Sequence, residues 1–280
     1  MNRRLLMLEE MGLAPVWRLR SGSDRSARPT DAPGANEPEL DPVTLPVLAR
    51  ASETTPTAGR GERAPAAPGA CPPSVSAEED ARRQAILALD WAALKEAVAQ
   101  CVACPLHARR TRTVFGVGDE RSRWLFVGEG PGAEEDAQGE PFVGQAGRLL
   151  DNMLAAIDLK RGEDVYFANV VKCRPPNNRN PEAGEMRCCE PYLTRQIALI
   201  RPKLIVALGK VAASHLLRTD ASIASLRGRV HDYQGTPLIV TYHPAYLLRT
   251  LPDKAKSWAD LCFARETMQT LTADTERVAK

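Results

Sequence analysis

The sequence lacks any apolar run of about 18 residues, the length at which a segment becomes a transmembrane candidate. It also lacks a small-residue cleavage site after an apolar core near its beginning, so we expect a cytoplasmic protein with no membrane segment. Net charge is low as well, because 37 Lys and Arg residues oppose 35 Asp and Glu residues in a chain of 280. This balance excludes a uniformly basic nucleic-acid binder, so any such contact must use a local patch.

Aromatic residues are almost absent from residues 1–84, where Trp17 is the only one, and this segment holds 11 of the 22 prolines. Such a composition cannot bury enough apolar surface to offset the chain entropy lost on folding. We therefore predict a disordered linker over residues 21–76, preceded by a short docking helix or peptide for a protein partner within residues 1–20. A frayed terminus without a partner is the alternative interpretation of residues 1–20. The folded domain is predicted over residues 77–280.

A phosphate-binding loop is also missing. The stretch Trp124–Gly144 (WLFVGEGPGAEEDAQGEPFVG) begins as an apolar strand and breaks at a turn with three glycines. No Gly-Lys-Ser/Thr follows this turn, and the loop is acidic, so a nucleoside triphosphate is excluded as its ligand. Because open α/β sheets place their ligands where strands end, we predict a binding site of another kind here.

Apolar runs of strand length alternate with helical patterns through the rest of the chain. Four runs are predicted as strands, at Trp124–Val127, Val165–Val171, Leu204–Leu208 and Leu238–Thr241. Helices are predicted at about 77–100, 145–158, 185–200, 210–218 and 255–272. This alternation predicts an α/β fold with a mostly parallel sheet covered by helices on both faces. Arg229–Tyr233 is a candidate for an additional short edge strand.

Seven cysteines in a cytoplasmic context favour metal or cluster binding over disulfides. Cys101 and Cys104 form a CxxC sequence after a predicted helix, and Cys173 follows a predicted strand. Cys188 and Cys189 open another predicted helix. Four thiolates from these positions suit either a tetrahedral zinc or a four-iron cluster, and their spacing does not separate the two. Four unconnected buried cysteines are the alternative interpretation.

Four motifs together resemble one known family. GEGPGAEEDAQGEPFVG, CVAC, NVVKCRPPNNRNP and HPAYLLR are similar to motifs of the family-4 uracil-DNA glycosylases, which carry a [4Fe-4S] cluster. The resemblance covers about residues 95–270 and implies a three-layer α/β/α sandwich with a four-stranded, mostly parallel central sheet. It also implies four cluster ligands, namely Cys101, Cys104, Cys173 and Cys189. The family's spacing selects Cys189 over Cys188 as the fourth ligand.

The resemblance further implies a pocket for a uracil base that has been flipped out of DNA. Glu129 and Gly130 correspond to positions that line this pocket and place the attacking water. Phe142 corresponds to an aromatic residue that stacks on the base, and Asn169 to an amide that reads its edge. His243 corresponds to a histidine that faces uracil O2. The implied reaction is hydrolysis of the N-glycosidic bond in uracil-containing DNA, which leaves an abasic site.

Contacts with the DNA duplex are implied beyond the pocket. Leu247, Leu248 and Arg249 stand in the loop that enters the duplex, where an apolar side chain fills the gap left by the base. We also expect basic side chains of the VVKCRPPNNR segment to meet phosphates, namely Lys172, Arg174 and Arg179. A monomer suits an enzyme that closes around an extruded base.

Two departures from related glycosylases shape the predicted mechanism. Relatives with a water-activating Asp carry it where this chain has Gly130, so we expect stabilisation of the departing uracil to dominate. Either Glu129 or Glu135 is left as the carboxylate that orients water. Relatives that trap the sugar covalently carry a His after the third ligand, whereas residues 174–187 contain none, so turnover is predicted. The alternative function is an iron-sulfur DNA-binding or damage-sensing module without turnover.

Overall fold

The structure, a computed structural model, describes residues 77–278, with side chains described as far as residue 273. The predicted docking peptide and the predicted linker lie outside the described residues. Within this part of the chain, no helix is both long enough and apolar enough to cross a membrane.

Helices and strands alternate along the described chain, as the sequence pattern predicts. The helices are α1 (Ala77–Leu87), α2 (Trp91–Ala99), α3 (Ala133–Gln138), α4 (Gln145–Ala155), α5 (Ala183–Ile200), α6 (Gly209–Leu217), α7 (Ile223–Leu226), α8 (Pro244–Leu247) and α9 (Lys254–Val278). The strands are β1 (Val117–Gly118), β2 (Trp124–Gly128), β3 (Val165–Asn169), β4 (Leu204–Leu208), β5 (His231–Tyr233) and β6 (Thr236–Thr241). Short 3₁₀ turns occupy Pro105–Ala108, Pro176–Asn178 and Leu251–Asp253. The unpredicted helices α3, α7 and α8 are too short to show a periodic pattern.

One six-stranded sheet runs in the order β1-β3-β2-β4-β6-β5. Its four central strands are parallel, and Phe126 in β2 pairs with Phe167 on one side and with Val206 on the other. Both edge strands are antiparallel to their neighbours. The prediction of a four-stranded, mostly parallel sheet is therefore wrong: the sheet is mixed, and the four predicted strands form only its centre.

Of the two edge strands, the sequence predicts β5 but not β1. β5 is the candidate expected at Arg229–Tyr233, and it turns into β6 through Gln234 and Gly235, whose φ angles are 50° and 87°. β1 has only two residues, and a Cβ at its Gly118 would overlap the backbone of Val165. Such a strand depends on close backbone approach, which leaves no alternating side-chain pattern to find in the sequence.

The single helix expected at about 77–100 is wrong, because the chain breaks between Leu87 and Trp91 into α1 and α2. Asp90 causes the break by capping the second helix: its carboxylate accepts a hydrogen bond from the Ala93 N–H at 2.8 Å. Asp is among the preferred N-cap residues and a poor interior helix former. The local hydrogen bond therefore overrides the apolar periodicity that runs through both helices.

Helices cover both faces of the sheet, which produces three layers. Alternate residues of each strand point to opposite faces of the sheet. In β2, Leu125 and Val127 pack into the core beneath α1, α2, α5 and α6. Trp124 and Phe126 pack into the core beneath α4 and α9. Every residue of β2, β3 and β4 is buried. Continuous burial of this kind is typical of parallel strands that are covered on both sides.

The carboxyl ends of the four central strands meet at one edge of the sheet. Gly128 ends β2 and pairs in register with Asn169, which ends β3. Leu208 and Thr241 end β4 and β6 at the same edge. The segments that leave these ends carry the glycine-rich turn, the VVKC sequence and the HPAYLLR motif. The topology therefore gathers the motifs where open α/β sheets bind their ligands.

Candidate active site and cysteine cavity

A cavity of about 620 Å³ opens at this carboxyl edge. Its walls include six of the residues predicted from the sequence, which are Glu129, Gly130, Phe142, Asn169, His243 and Arg249. They come from three chain segments, at the ends of β2, β3 and β6, which the parallel sheet brings together. Its volume is in the range typical of sites for small organic ligands.

Asn169 presents a buried side-chain amide to this cavity. Its side chain is 3% exposed, and within residues 77–273 the amide has no hydrogen-bond partner. Gly128 makes room for it, since a Cβ there would lie 2.5 Å from Asn169 Oδ1 and 2.5 Å from Phe142 Cζ. The amide atoms are not among the buried polar atoms without a partner, because they face the open space of the cavity, where a ligand can pair with them.

Phe142 is held in an unfavourable backbone conformation. Its φ angle is 57°, in the left-handed region, which costs a residue other than glycine about 1–3 kcal/mol. The ring is nearly buried, and its centroid lies 5.9 Å from that of Phe167 and 5.9 Å from that of His243. This strained conformation keeps an aromatic face in the wall of the cavity.

Glu135 stabilises the loops that border the cavity. Its carboxylate accepts hydrogen bonds from the backbone N–H groups of Gly132 (3.1 Å), Val143 (3.1 Å) and Gly144 (3.3 Å). The first bond is only the glutamate half of a capping box at the start of α3, because the N-cap residue Gly132 has no side chain, and the other two bonds hold the segment after Phe142. Three backbone donors already occupy this carboxylate, so its contacts favour a positioning role over water activation.

Glu129 is the second carboxylate in the cavity wall, and unlike Glu135 it does not accept hydrogen bonds from the backbone of these loops. Within residues 77–273 its side chain has no hydrogen-bond partner, and burial raises the pKa of this carboxyl above its usual range. Gly130 follows it, and a Cβ at that position would lie 2.7 Å from Val171 Cγ2. The close approach of Val171 explains why a larger residue is absent from the position.

His243 caps the short helix α8. Its Nδ1 accepts a hydrogen bond from the Ala245 N–H at 3.1 Å, so the neutral ring carries its proton on Nε2 and donates from there. Burial, followed by the positive charge of Arg249, lowers the pKa of His243 to about 4. The ring is consequently neutral at pH 7. Gly209 packs closely behind it, since a Cβ there would lie 2.8 Å from His243 Cβ.

The three residues of the predicted duplex-entering loop have different environments. Leu247 is 1% exposed and belongs to the core beneath α9, so its side chain does not face solvent. Leu248 is 39% exposed, and Arg249 is exposed beside the cavity. Leu251, which the sequence motifs did not single out, is 51% exposed just beyond them. A second leucine only three residues after Leu248 was the sequence signal that could have identified it as another apolar contact.

The basic residues expected to meet phosphates are largely engaged within the protein. Lys172 is 1% exposed, and its ammonium donates to the Asn169 carbonyl oxygen at 2.9 Å, so the expectation of a phosphate contact is wrong for this residue. Arg179 makes two hydrogen bonds to the buried carboxylate of Glu185, at 2.9 and 2.7 Å. Arg174 donates from Nε to Asn178 Oδ1 at 2.7 Å. Because Glu185 neutralises the positive charge of Arg179, this arginine attracts phosphate less strongly than a free arginine would.

Five cysteines line a second cavity, on the face of the sheet covered by α1, α2 and α5. They are Cys101, Cys104, Cys173, Cys188 and Cys189, and the cavity between them measures about 10 Å³. Their sulfur atoms do not form disulfides with one another. Cys262, in contrast, lies in α9 and is partly exposed.

N–H donors point at the sulfur atoms of this cavity. Arg110 Nη1 lies 3.3 Å from Cys173 Sγ, and the Lys172 backbone N lies 3.3 Å from Cys189 Sγ. Arg82 Nη2 approaches Cys101 Sγ at 3.9 Å. These donors favour the thiolate, the form that binds metal, but burial has the larger effect and raises the pKa of Cys173 and of Cys189.

The side chains that line this cavity include five thiols, the donor type that holds zinc or an iron-sulfur cluster. In the described part of the chain, no three His, Cys, Asp or Glu residues are placed to hold a single metal ion. A zinc site needs its four ligands within about 2.3 Å of one point. Four cysteines around one cavity would suit a cluster that takes one thiolate at each corner.

Comparison with known proteins agrees with the location of these motifs. A sequence model of the uracil DNA glycosylase superfamily matches residues 115–262. The type-4 uracil-DNA glycosylase of Thermotoga maritima is 49% identical over 158 residues, covering 56% of this chain and 82% of the relative. Proteins of the same description from Archaeoglobus fulgidus and Pyrobaculum aerophilum are 46% and 44% identical over 159 and 169 residues. These alignments cover 54% and 58% of this chain and 79% and 86% of the relatives.

Proposed function

The chain belongs to the uracil-DNA glycosylase superfamily, in its type-4 branch, and we propose that it removes uracil from DNA by hydrolysing the N-glycosidic bond. It is thus a DNA-repair hydrolase that leaves an abasic site. One observation carries the assignment of the site: the unpaired amide of Asn169, the face of Phe142 and the neutral ring of His243 share one cavity. These three groups supply recognition, stacking and a leaving-group donor.

Asn169 selects the base in this proposal. Its amide donates to uracil O4 and accepts from the N3–H, which satisfies a buried group that has no partner within residues 77–273. Cytosine reverses both polarities at these positions and leaves buried groups unpaired. A site of this type can reject the wrong base by roughly 10⁴-fold. Phe142 adds stacking worth about 1–3 kcal/mol without a preference for one base.

His243 stabilises the departing uracil. When the N-glycosidic bond breaks, its electron pair moves to uracil N1 and the negative charge spreads to O2, while water adds to the sugar C1′. The Nε2–H of the neutral ring donates to O2 as this charge develops. One such donor, held in place before the reaction, contributes about 2.7–4 kcal/mol to the transition state.

Glu129 is assigned to the sugar side of the reaction. As a carboxylate it favours the positive charge that develops on the sugar and orients the attacking water. Burial raises the pKa of Glu129, so the active carboxylate is lost sooner than usual as pH falls. Glu135 is not assigned this role because backbone N–H groups occupy its oxygens.

Cys101, Cys104, Cys173 and Cys189 are assigned as the ligands of a [4Fe-4S] cluster. The support is their common cavity together with the N–H donors at their sulfur atoms. The cluster supplies structural cross-linking, because hydrolysis moves no electrons. Its ligands tie the segment after α2 and the start of α5 to the chain just beyond Asn169. Metal binding of this kind contributes directly to folding stability.

Leu248 and Arg249 are assigned to the DNA side of the cavity. Leu248 is the exposed leucine of the predicted pair, and an apolar side chain inserted into the base stack prevents return of the flipped base. Arg249 lies at the cavity wall, where a guanidinium suits a phosphate. Uracil-containing DNA is the partner, and one copy of the chain supplies every residue of the site.

The test is excision from an oligonucleotide that carries a single U:G pair. The purified chain is incubated with the oligonucleotide, which is then treated with alkali and analysed on a gel. Strand breakage at the uracil position, with a rate about 10²–10³-fold lower for His243→Ala, is the expected result. His231→Ala is the matched control. His231 lies on edge strand β5, does not line the cavity, and bonds through its ring to the Leu226 carbonyl oxygen.

The other outcomes separate the function from the mechanism. No breakage by a folded, iron-containing chain would overturn the proposed enzyme and favour a DNA-binding module without turnover. Breakage that His243→Ala leaves undiminished would keep the function and reject His243 as the leaving-group donor.

A further inference from the structure

Arg161 contacts the backbone of Phe142 although it does not line the cavity. Its Nη2 donates to the Phe142 carbonyl oxygen at 3.0 Å, and its Nη1 donates to the Pro141 carbonyl oxygen at 3.2 Å. One planar guanidinium therefore binds two successive peptide groups, at the point where the chain enters the left-handed conformation of Phe142. A fork of donors in fixed geometry is what distinguishes arginine from lysine.

The guanidinium is itself held on two sides. Asp151 in α4 accepts from Arg161 Nε at 3.0 Å and from Nη2 at 2.8 Å. The guanidinium carbon lies 4.6 Å from the centre of the Phe167 ring, and the Phe167 ring also packs against Phe142. A carboxylate in the guanidinium plane and an aromatic ring over its face leave the fork little freedom to rotate.

The N–H groups of the next two residues are held by a charge of opposite sign. Glu135 accepts from the N–H groups of Val143 and Gly144. Gly147 completes the arrangement, because a Cβ there would overlap the Phe142 carbonyl group. The four consecutive residues 141–144 are thus bound through carbonyl oxygens by a cation and through N–H groups by an anion. This explains how an aromatic residue stays at a φ of 57°.

We propose that Arg161 is a positioning residue for base recognition: its two hydrogen bonds hold the strained backbone of Phe142 so that the ring stands ready to stack on the flipped uracil. This inference rests on the proposed glycosylase function. When the fork is lost, the backbone of Phe142 relaxes towards an ordinary conformation and the ring leaves its place. Arg161 acts only through Phe142, so its effect disappears when the ring is absent.

The test is a double-mutant cycle between Arg161→Gln and Phe142→Ala, measured as kcat/KM on the U:G oligonucleotide. Arg161→Gln alone is expected to lower kcat/KM about tenfold, which corresponds to ~1.4 kcal/mol. In the Phe142→Ala background the same change is expected to have no further effect, because coupled residues are not additive. Arg161→Lys should behave like Arg161→Gln, since one ammonium cannot bind both carbonyl oxygens in the plane.

Two further measurements separate positioning from general stability. Affinity for DNA that carries an abasic-site analogue should be unchanged in Arg161→Gln, because that DNA has no base to stack. Arg123→Gln is the matched control: Arg123 also forms a part-exposed pair with an aspartate, Asp164, but lies at the amino end of β2, away from the cavity. It should retain full kcat/KM.

Several outcomes would overturn the inference. Equal losses from Arg161→Gln in both backgrounds, or an unchanged kcat/KM, would show that Arg161 does not act through Phe142. If Arg161→Gln does not fold, Asp151→Asn takes its place in the cycle with a smaller expected loss, and additive losses in that cycle would overturn the inference equally. Absence of excision by the unaltered chain would instead contradict the proposed function itself.

Discussion

The backbone carbonyl oxygen of Asn169 accepts a hydrogen bond from the buried ammonium of Lys172 at 2.9 Å. The backbone N–H of the same lysine points at Cys189 Sγ, 3.3 Å away. Residues 169–173 therefore have Asn169, the proposed base-reading residue, at one end and Cys173, a proposed cluster ligand, at the other. The two cavities share this short segment, so a group held by Cys173 and Cys189 would be linked through Lys172 to the position of Asn169.

The fourth cluster ligand can be identified by substitution. Cys189 receives the Lys172 N–H and is buried, whereas Cys188 is part-exposed and only its carbonyl oxygen is bound, by Arg82. Cys189→Ser is expected to lower both the iron content and the free energy of unfolding, because metal binding and folding are linked. Cys188→Ser, the matched control, should retain iron. Iron and sulfide are assayed in both variants. Loss of iron from Cys188→Ser and retention by Cys189→Ser would identify Cys188 as the fourth ligand instead.

Asn169→Asp is expected to reduce discrimination between uracil and cytosine. A carboxylate cannot donate to uracil O4, and it accepts instead from the exocyclic amino group of cytosine. The ratio of excision rates on U:G and C:G oligonucleotides should fall at least about tenfold, the value of ~1.4 kcal/mol. Asn152→Asp, on the exposed surface of α4, should leave the ratio unchanged. Unaltered rejection of cytosine by Asn169→Asp would remove Asn169 as the reader.

Gly128→Ala is expected to disable the pocket. The added methyl group would meet both Asn169 Oδ1 and Phe142 Cζ at 2.5 Å, so one of these groups must shift. A misplacement of about 1 Å can cost roughly 10²-fold in rate, and single-turnover excision should fall by that order. Gly184→Ala is the control, because a Cβ there meets only the tip of Arg187 at 3.9 Å. Near-normal excision by Gly128→Ala would contradict the observed closeness of the two groups.

The neutral state of His243 determines a pH dependence. Its folded pKa of about 4 lies below the ordinary value of about 6.5, so the ring stays neutral and donates between pH 5 and 7. Between about pH 4 and 6.5 this imidazole binds a proton in the unfolded chain but not in the folded chain. The contribution of His243 to the free energy of unfolding is therefore complete above about pH 6.5. It is lost as pH falls towards about 4. Denaturant unfolding of the unaltered chain and of His243→Gln at both ends of this window should show the difference.

The two glutamates near the cavity should respond differently to substitution. Glu129→Gln is expected to lower kcat by about tenfold or more without changing the melting temperature, because its carboxylate has no partner within residues 77–273. It should also remove the acid limb of the rate profile, which lies above the usual carboxyl range because burial raises the pKa of Glu129. Glu135→Gln should lower the melting temperature, through its three backbone donors. Glu140→Gln, on an exposed residue, is the control.

Much of the fold and of the candidate site follows from local sequence. The run Leu204–Leu208 is apolar throughout and forms a strand buried on both faces, and the β5 turn follows from Gln234 and Gly235. His243 follows the predicted strand Leu238–Thr241, whereas Asn169 lies inside the predicted strand Val165–Val171 and only the structure ends β3 at this residue. The break at Asp90 was missed because one capping bond outweighed a continuous apolar pattern.

Local sequence therefore specifies the order of the elements, the central strands and the chemical types available at their carboxyl ends. Tertiary packing specifies which charged side chains support the site. Arg161, Glu135 and Lys172 look like solvated surface charges in the sequence, yet they bind the backbone of Phe142, Gly144 and Asn169. The reason is physical: apolar periodicity is a local property that a short window of sequence records. A hydrogen bond between distant segments exists only after packing has placed donor and acceptor within about 3 Å.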